Sequence, residues 1–380
     1  MKTYLTLITL LLMCLTVVPQ ATAQDAGPGT PLFVSGTNDI AEFRIPALQT
    51  TPTGRVLAVC DARVDRSGDV PNNIDLVLRY SDDDGETWSD LQRIIDYHGT
   101  EGGADPCLLA DRDTGTIYLF YAYSAGRNNV TQGPNAERRH LAMHYVYSED
   151  DGETWSLPIH VDIAIHAPEW HSTWPSPGRG VQLQNGRLII PASAWDHEQH
   201  IAYFVYSDDH GKTWQRSTDA GDHICEPRII EREDGTLVMN ARNTARTSKR
   251  GVVTSDDGGQ TWSAIQWHDT LIESSCQASF LAYDVDRDGH PTDVVVFSNP
   301  ASERGRVNMT VRVSRDAGQT WDATYPIHAG PSAYSSMTVL SDGSIGLLYE
   351  NGRRGAYEGI TFVRIPAEEL GLSAADARDD

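Results

Sequence analysis

The chain has 380 residues, with 53 acidic against 30 basic side chains and a formal charge of -23. No Lys- or Arg-rich run interrupts that acidic surplus. Because such a surface repels other anions, we do not expect nucleic acid or anionic membranes as partners. A small anionic ligand is not excluded, because a local cluster of arginines reverses the field inside one cleft.

The amino-terminal segment has the order of a secretory signal peptide. Lys2 is followed by the apolar run "LTLITLLLMCLTVV" and then by the small-residue stretch "PQATAQ". The run is about 14 residues long, short of the roughly 20 that a membrane span needs. We therefore expect a signal peptide over residues 1–23, no membrane span, and an exported protein, periplasmic or extracellular, whose residues 24–380 form a single domain. Cys14 is a weaker candidate for a lipoprotein anchor, since no small residue stands just before it.

One motif, Ser-x-Asp-x-Gly-x-Thr-Trp, returns five times along the rest of the chain. Its copies begin at Ser81, Ser148, Ser207, Ser255 and Ser314, at intervals of 67, 59, 48 and 59 residues. A short apolar segment such as "IAYFVY" precedes each copy and predicts a strand, while the Asp and Gly of the motif predict the hairpin turn after it. Segments such as "TIYLFYAY" and "GTLVMNAR" predict further strands between the copies.

This spacing predicts an all-β fold, a six-bladed β-propeller. Self-similarity at a period of tens of residues is typical of solenoids and propellers, and units of four strands around an axis are propeller blades. About 357 residues after cleavage, divided by a spacing near 60, give about six units. Five motifs are compatible with six blades, because the closing blade combines both chain ends and loses its repeat. We predict no amphipathic helix before "AEELGLSAAD" near the carboxyl end.

The repeated aspartates are expected to build turns and not to catalyse, because five like turns around a ring cannot converge on one substrate. The stretch "DVDRDG", residues 284–289, begins like a calcium loop, but Val295 stands where such a loop has Glu, so calcium is the less favoured interpretation. Four cysteines remain after cleavage, and the sequence leaves their pairing open: Cys60, Cys107, Cys225 and Cys276.

Other polar residues occur only once and are not required by a blade pattern. They begin with "FRIPAL" at Phe43 and end with "LLYE" at Glu350. Together with the five repeats, which are Asp boxes, these stretches make the chain resemble the bacterial and animal exo-sialidases from Arg44 to Glu350. The resemblance implies a six-bladed glycoside hydrolase that removes terminal α-linked sialic acids from glycoproteins, glycolipids and oligosaccharides. It also implies retention through a tyrosyl-enzyme intermediate, and no cofactor or metal.

The resemblance assigns three arginines to the carboxylate of the substrate: Arg44, Arg242 and Arg306. Sialic acid carries a carboxylate on its anomeric carbon, and planar guanidinium groups bind carboxylates through paired, charge-assisted hydrogen bonds. Arg304 is a close rival of Arg306.

The resemblance also assigns the catalytic residues. Tyr334 of "AYSS" corresponds to the nucleophile, and Glu226 corresponds to the base that activates it, since a phenol is a poor nucleophile at neutral pH. Asp69, six residues after Arg63 of "DAR", corresponds to the general acid and base, with Asp65 as its rival.

Three further positions follow from the same resemblance. Arg63 and Asp105 match residues that contact the O4 hydroxyl of the sugar, and Glu350 matches the glutamate that orients Arg44. In "HAPEWHSTWPSPGRG" we expect either Trp170 or Trp174 to stack on the leaving-group side of the cleft, with loop packing as the alternative.

Two other functions use the same residues. In one, a sugar hydroxyl or the substrate's own hydroxyl replaces water, which makes the protein a trans-sialidase or an intramolecular trans-sialidase. In the other, the propeller binds sialosides without catalysis. The presence of Tyr334, Glu226 and Asp69 together argues against binding without catalysis, because a protein that only binds sialosides does not require all three.

Overall fold

The computed structural model describes residues 28–126, 141–284 and 290–373. Its strands make up 51% of the described residues and its helices 2%, so the predicted all-β class is confirmed. The predicted signal peptide lies outside the described residues. So do Asp286 and Asp288 of the stretch that resembles a calcium loop.

In the described residues, twenty-six strands form four sheets. The first sheet has the order β2-β3-β4-β6-β7-β8-β9, with β5 beside β4 and β11 beside β6. Its strands are β2 Glu42–Thr50, β3 Val56–Arg63, β4 Ile74–Ser81, β5 Gln92–Ile95, β6 Gly102–Ala110, β7 Ile117–Ser124, β8 Ala142–Ser148, β9 Ile159–His160 and β11 Gly178–Arg179. The second sheet contains β10 Ser172–Pro175, β12 Val181–Gln182, β13 Leu188–Trp195, β14 His200–Ser207, β15 Gln215–Arg216 and β16 Gly221–Asp222.

The third sheet has four strands in chain order: β17 Ile224–Glu231, β18 Leu237–Asn243, β19 Lys249–Ser255 and β20 Gln266–Ile272. The fourth sheet has the order β1-β26-β25-β24-β23-β22-β21. Its strands are β1 Thr30–Val34, β21 Ser279–Ala282, β22 Val295–Pro300, β23 Val307–Ser314, β24 Ala323–Val339, β25 Ile345–Asn351 and β26 Gly359–Ile365.

The helices among the described residues are short. They are α1, Asp162–Ile165, and a 3₁₀ turn, Ala367–Leu370, inside the segment predicted to be helical. Gly371 ends that turn in the left-handed conformation, at φ 65°, which glycine adopts without steric penalty. In the part of the chain that the structure describes, no helix has both the length and the apolar character of a membrane span.

The fourth sheet joins the two ends of the described chain. β1 pairs antiparallel with β26, and the long strand β24 pairs with β23 through its first half and with β25 through its second. An amino-terminal strand thus completes a sheet made of carboxyl-terminal strands. The contact joins segments about 330 residues apart.

The core lies between neighbouring sheets, and also between the two halves of the first sheet and of the fourth, where strand faces bury Val, Ile, Leu and aromatic side chains. The Asp-box glycines contribute to this packing. Gly85 has a φ of 89°, and a Cβ there would come within 2.2 Å of the Phe362 ring, so a larger residue is excluded by two independent constraints. All four described cysteines are buried free thiols, which settles the pairing that the sequence left open.

Each Asp box is a turn closed by its own side chains. In the first copy, the Asp83 carboxylate accepts hydrogen bonds from the backbone N–H of Thr87 (2.8 Å) and from the Thr87 hydroxyl (2.6 Å). The hydroxyl of Ser81 accepts a bond from the Gly85 N–H (2.8 Å). These bonds lower the pKa of Asp83 to about 2, with those from Thr87 contributing most. The same bonds recur in the other four copies, so the aspartates are occupied by their own turns.

Candidate active site

The predicted site residues and the Asp boxes lie at opposite ends of the strands. In the pair β3 and β4, Arg63 lies opposite Ile74 at one end, and Val56 lies opposite Ser81 at the other. An eight-residue strand is roughly 23 Å long, which is the distance that separates Arg63 from the first Asp box. The repeated aspartates are therefore too far away to take part in the site.

Four strands break their pairing register where a predicted site residue occurs. The breaks lie between Arg44 and Ala47 in β2, between Ala104 and Cys107 in β6, between Cys225 and Arg228 in β17, and between Ser332 and Ser335 in β24. In three of them a residue adopts left-handed φ: Ile45 (59°), Asp105 (57°) and Glu226 (43°). Such bulges re-aim side chains at about 1–3 kcal/mol of strain each, and here they bring residues from different sheets into contact.

The structure brings Tyr334, Glu226 and Arg242 into direct contact. The Tyr334 hydroxyl donates to Glu226 Oε1 at 2.7 Å and accepts from Arg242 Nη1 at 2.9 Å. Arg242 Nη1 also lies 2.9 Å from Glu226 Oε2. The Glu226 backbone N–H donates to the buried Ser193 hydroxyl at 2.8 Å, which holds the strained residue in place. A buried phenol thus has a carboxylate placed to receive its proton.

The protonation states match that arrangement. Burial opposes the charge of Glu226, but the charge and hydrogen bond of Arg242 outweigh it and lower the glutamate pKa. Burial, and then the negative charge of Glu226, raise the pKa of Tyr334 well above its ordinary value. At neutral pH the pair therefore consists of an ionised base and a neutral phenol.

Arg44 is held by Glu350. Glu350, which has no exposed surface, accepts from Arg44 Nε at 2.6 Å and from the Ile45 N–H at 2.8 Å through one oxygen. Its second oxygen accepts from the Tyr334 N–H at 3.0 Å. Burial opposes the charge of Arg44, but Glu350 outweighs burial and raises the arginine pKa. The Glu350 carboxylate thus fixes the Arg44 guanidinium, the backbone at Ile45 and the backbone at Tyr334.

Replacing Glu350 by glutamine is expected to lower the free energy of unfolding by about 3–5 kcal/mol, because it leaves the 7%-exposed Arg44 as an uncompensated buried charge. Urea unfolding of the protein measures the change. The matched control is Glu86→Gln, which removes a partner of Arg364 (3.1 Å) on the exposed surface and should cost less than about 1 kcal/mol. Equal small losses in both variants would contradict the assignment.

Arg306 lies beside these groups. Its Nη1 donates to the Tyr357 hydroxyl at 2.9 Å, and its Nη2 donates to the Ser275 carbonyl at 3.4 Å. Its Cζ is 5.3 Å from the centroid of the Tyr334 ring. Arg304, the alternative that the sequence left open, is exposed on the loop before β23. The three arginines predicted to bind a carboxylate therefore surround Tyr334.

Arg63 and Asp105 lie near a second set of carboxylates. Buried Arg63 pairs with Glu42 (3.2 Å) and hydrogen-bonds Asp69, whose side chain is 81% exposed. The Asp105 N–H donates to buried Asp61 at 3.1 Å. Among the described contacts, Asp69 touches Arg63 and neither Tyr334 nor Glu226, so it lies at the rim of the site. Asp65 is exposed on the same loop.

Burial, followed by the charges of Glu226 and Asp69, raises the pKa of Asp105 to about 8. Between pH 4 and pH 8 the folded protein therefore keeps a proton that the unfolded chain releases, so this group makes stability fall as pH rises through that window.

Asp105→Asn should remove this effect. We expect the variant to be about 5 kcal/mol more stable than the wild type at pH 8.5 and similar to it at pH 4, since a change of one in pKa corresponds to about 1.4 kcal/mol. Urea unfolding at both pH values measures this, with exposed Asp65→Asn as the control. A stability difference that does not depend on pH would contradict the assigned protonation.

Sequence reasoning missed several residues. Asp61 precedes Arg63 by two positions, a spacing that places both on one face of a strand and is a usable signal. Tyr357, Ser275 and Ser193 carry no such signal, because their contacts come from distant segments. Trp170 was a wrong candidate for stacking, since it is 3% exposed and packs 4.6 Å from Tyr203 in the core.

Trp174 remains a candidate for contact with a ligand. It is half-buried on β10, opposite Ser193 in register, and its ring meets His200 edge to face at 5.9 Å. Because the Ser193 hydroxyl binds the Glu226 backbone, Trp174 lies one strand away from the base.

The chain is similar in sequence to known proteins. A family model described as a BNR repeat-like domain matches residues 54–347. The sialidase of Bacteroides fragilis is 31% identical over 334 residues, covering 83% of this chain and 61% of that protein. The sialidase of Micromonospora viridifaciens is 35% identical over 352 residues, covering 85% and 53%. The chain thus spans only 53–61% of the length of these two relatives.

A solved structure agrees with these sequence matches. The Hadza microbial sialidase superposes with a TM-score of 0.80 at 30% identity, covering 90% of this chain and 69% of that one. The resemblance that the Asp boxes and the Phe-Arg-Ile-Pro stretch indicate is confirmed over most of the length. The chain belongs to the sialidase family of BNR-repeat proteins.

Proposed function

We propose that the protein is an exo-α-sialidase that hydrolyses terminal α-linked sialic acids from glycoconjugates with retention of configuration. The observation that carries this proposal is the contact of Tyr334 with Glu226 and Arg242, surrounded by three arginines. A cluster of cations beside a neutral nucleophile suits an anomeric carbon that itself bears a carboxylate.

In the first step, the substrate carboxylate binds Arg44, Arg242 and Arg306. The Tyr334 oxygen attacks the anomeric carbon, its proton passes to Glu226, and the bond to the leaving group breaks. Asp69 donates a proton to the departing oxygen. Neutral phenol approaches the anionic sugar without the repulsion that a second carboxylate would meet.

In the second step, Asp69, which gave up its proton in the first step, removes a proton from water, and the water oxygen attacks the anomeric carbon. The bond to Tyr334 breaks, and Glu226 returns the proton to the phenolate. Two displacements at one carbon give net retention. The 81% exposure of the Asp69 side chain supports water as the acceptor, in preference to transfer to another sugar. We assign Arg63 and Asp105 to the O4 hydroxyl.

The architecture we propose is a six-bladed propeller formed by residues 24–380. The first sheet divides where β4 and β6 share a single bridge, Ile74 to Gly102, and the fourth divides along β24. With the second and third sheets, this makes six units. The unit containing β1 and β26 lacks an Asp box, as a closing blade would. We further propose export, with removal of residues 1–23.

One experiment tests the function. The mature protein is incubated with α2,3- and α2,6-linked sialyllactose, with and without added lactose, and the first products are identified by proton NMR. We expect the free α-anomer of the sugar as the first product. A β-anomer would overturn retention, an anhydro sugar or a sialylated acceptor would indicate transfer, and binding without cleavage would leave a sialoside-binding propeller.

A further inference from the structure

Arg306 differs from the other two arginines around Tyr334. Arg44 pairs with Glu350 at 2.6 Å, and Arg242 pairs with Glu226 at 2.9 Å. No carboxylate of the described residues lies within ion-pair distance of Arg306. Its charge is therefore the least compensated of the three, although its position must be equally fixed if it is to meet a planar carboxylate.

The Tyr357 side chain contacts two of the three arginines at once. Its hydroxyl accepts from Arg306 Nη1 at 2.9 Å, and its ring lies under the Arg44 guanidinium, with Cζ 3.9 Å from the ring centroid. The Tyr334 ring also lies near both guanidinium groups, with its centroid 5.5 Å from Arg44 Cζ and 5.3 Å from Arg306 Cζ. Two tyrosines therefore bracket the pair of cations without neutralising them.

The loop between β25 and β26 holds Tyr357 in that place. The Tyr357 carbonyl accepts from the Ser35 hydroxyl at 3.0 Å, and the same hydroxyl accepts from the Phe43 N–H at 3.1 Å. At the other side of the loop, the Glu358 carboxylate accepts from the N–H groups of Arg353 (3.1 Å) and Arg354 (2.9 Å). Tyr357 is thus tied to the residue that precedes Arg44 as well as to its own loop.

We propose that Tyr357 is a positioning residue for carboxylate recognition: it holds Arg306 through its hydroxyl and Arg44 through its ring, and it leaves both charges available to the ligand. The phenol suits this role because it accepts a hydrogen bond and offers a π face while carrying no charge. A glutamate in its place would pair with Arg306 and compete with the substrate.

The inference rests on the proposed function in one respect, namely that the ligand is a sugar carboxylate. Because that carboxylate is charged in the ground state and in the transition state alike, a lost contact that orients it weakens both equally. Such a loss raises KM and leaves kcat nearly unchanged.

The test compares Tyr357→Phe and Tyr357→Ala with the wild type on an aryl sialoside. For Tyr357→Phe, which loses the hydroxyl alone, we expect KM to rise about 10-fold and kcat to change less than about 2-fold. For Tyr357→Ala, which also loses the ring under Arg44, we expect KM to rise about 100-fold. The matched control is Tyr206→Phe, since Tyr206 also lies under an arginine (Arg187, 4.3 Å) but next to an Asp box.

Two competitive inhibitors separate positioning from general damage. One is the free sugar acid, and the other is the same sugar with its carboxylate replaced by a hydroxymethyl group. In Tyr357→Phe we expect the inhibition constant of the acid to rise about 10-fold and that of the neutral analogue to stay constant. Unchanged constants, equal losses for both inhibitors, or a fall in kcat at constant KM would each overturn the proposal.

A failure of the proposed function can be distinguished from a failure of the role proposed for Tyr357. If the wild-type protein does not cleave the sialoside, hydrolysis is refuted. Calorimetric binding of the two inhibitors to the wild type and to Tyr357→Phe then tests the role of Tyr357 by the same criterion, a loss confined to the acid.

Discussion

Replacing Tyr334 by phenylalanine is expected to lower kcat on a fluorogenic sialoside at least about 1000-fold, because the substitution removes the attacking oxygen and keeps the ring. The hydroxyl lies 2.7 Å from Glu226 and 2.9 Å from Arg242, so no other described side chain replaces it as a nucleophile with a base in place. KM should change little, since Arg44 keeps Glu350, Arg242 keeps Glu226, and Arg306 keeps the Tyr357 hydroxyl.

Steady-state kinetics of the purified variant measure this loss. Tyr349→Phe is the control, because Tyr349 is also fully buried in the neighbouring strand β25 but packs in the hydrophobic core. It should retain wild-type turnover. If Tyr334→Phe kept more than about a tenth of the wild-type kcat, Tyr334 would not be the nucleophile.

Replacing Asp69 by alanine is expected to have an effect that depends on the leaving group. A sugar hydroxyl is a poor leaving group and needs the proton, so kcat/KM on sialyllactose should fall about 1000-fold. A nitrophenol is far more acidic and departs without help, so its kcat/KM should fall less than about 10-fold. Loss of the base for the second step should then make the tyrosyl intermediate accumulate.

Rapid mixing with the nitrophenyl sialoside should therefore show a burst of released nitrophenol equal in concentration to the enzyme, followed by slow turnover. Added azide, which needs no base, should accelerate that turnover. Asp65→Ala, on the same exposed loop, is the control and should behave like the wild type. An equal loss on both substrates would show that Asp69 acts through Arg63, its hydrogen-bond partner, and not as the acid.

The Asp boxes show how far local sequence reaches. Every hydrogen bond that closes the first box joins residues no more than four positions apart. Such a turn forms wherever its residues occur, so the pattern predicts its own structure and, by repetition, a ring of sheets. The same reasoning separates turn builders from catalysts, because a site needs residues that occur once.

The site itself depends on contacts of a different range. Tyr334 and Glu226 are 108 positions apart, and Arg44 and Glu350 are 306 apart. The resemblance to sialidases identified these residues through short stretches such as Phe-Arg-Ile-Pro and indicated that Glu350 orients Arg44, but it did not indicate that Arg242 pairs with Glu226. The strand bulges were also invisible, since Ile45 is β-branched and ordinarily avoids left-handed φ.

The sequence by itself determined the all-β class and the turns, because periodicity and turn-forming residues act over a few positions. Its resemblance to the sialidases supplied the candidate site residues. The tertiary structure alone decided that Arg306 has no described carboxylate partner, that Tyr357 contacts two arginines, and that Trp170 packs in the core. These features arise where separate sheets meet, and burial there sets which charges are compensated. That environment depends on the whole fold, which is why the segment "ADPC" gives no sign that burial and neighbouring charges raise the pKa of Asp105 to about 8.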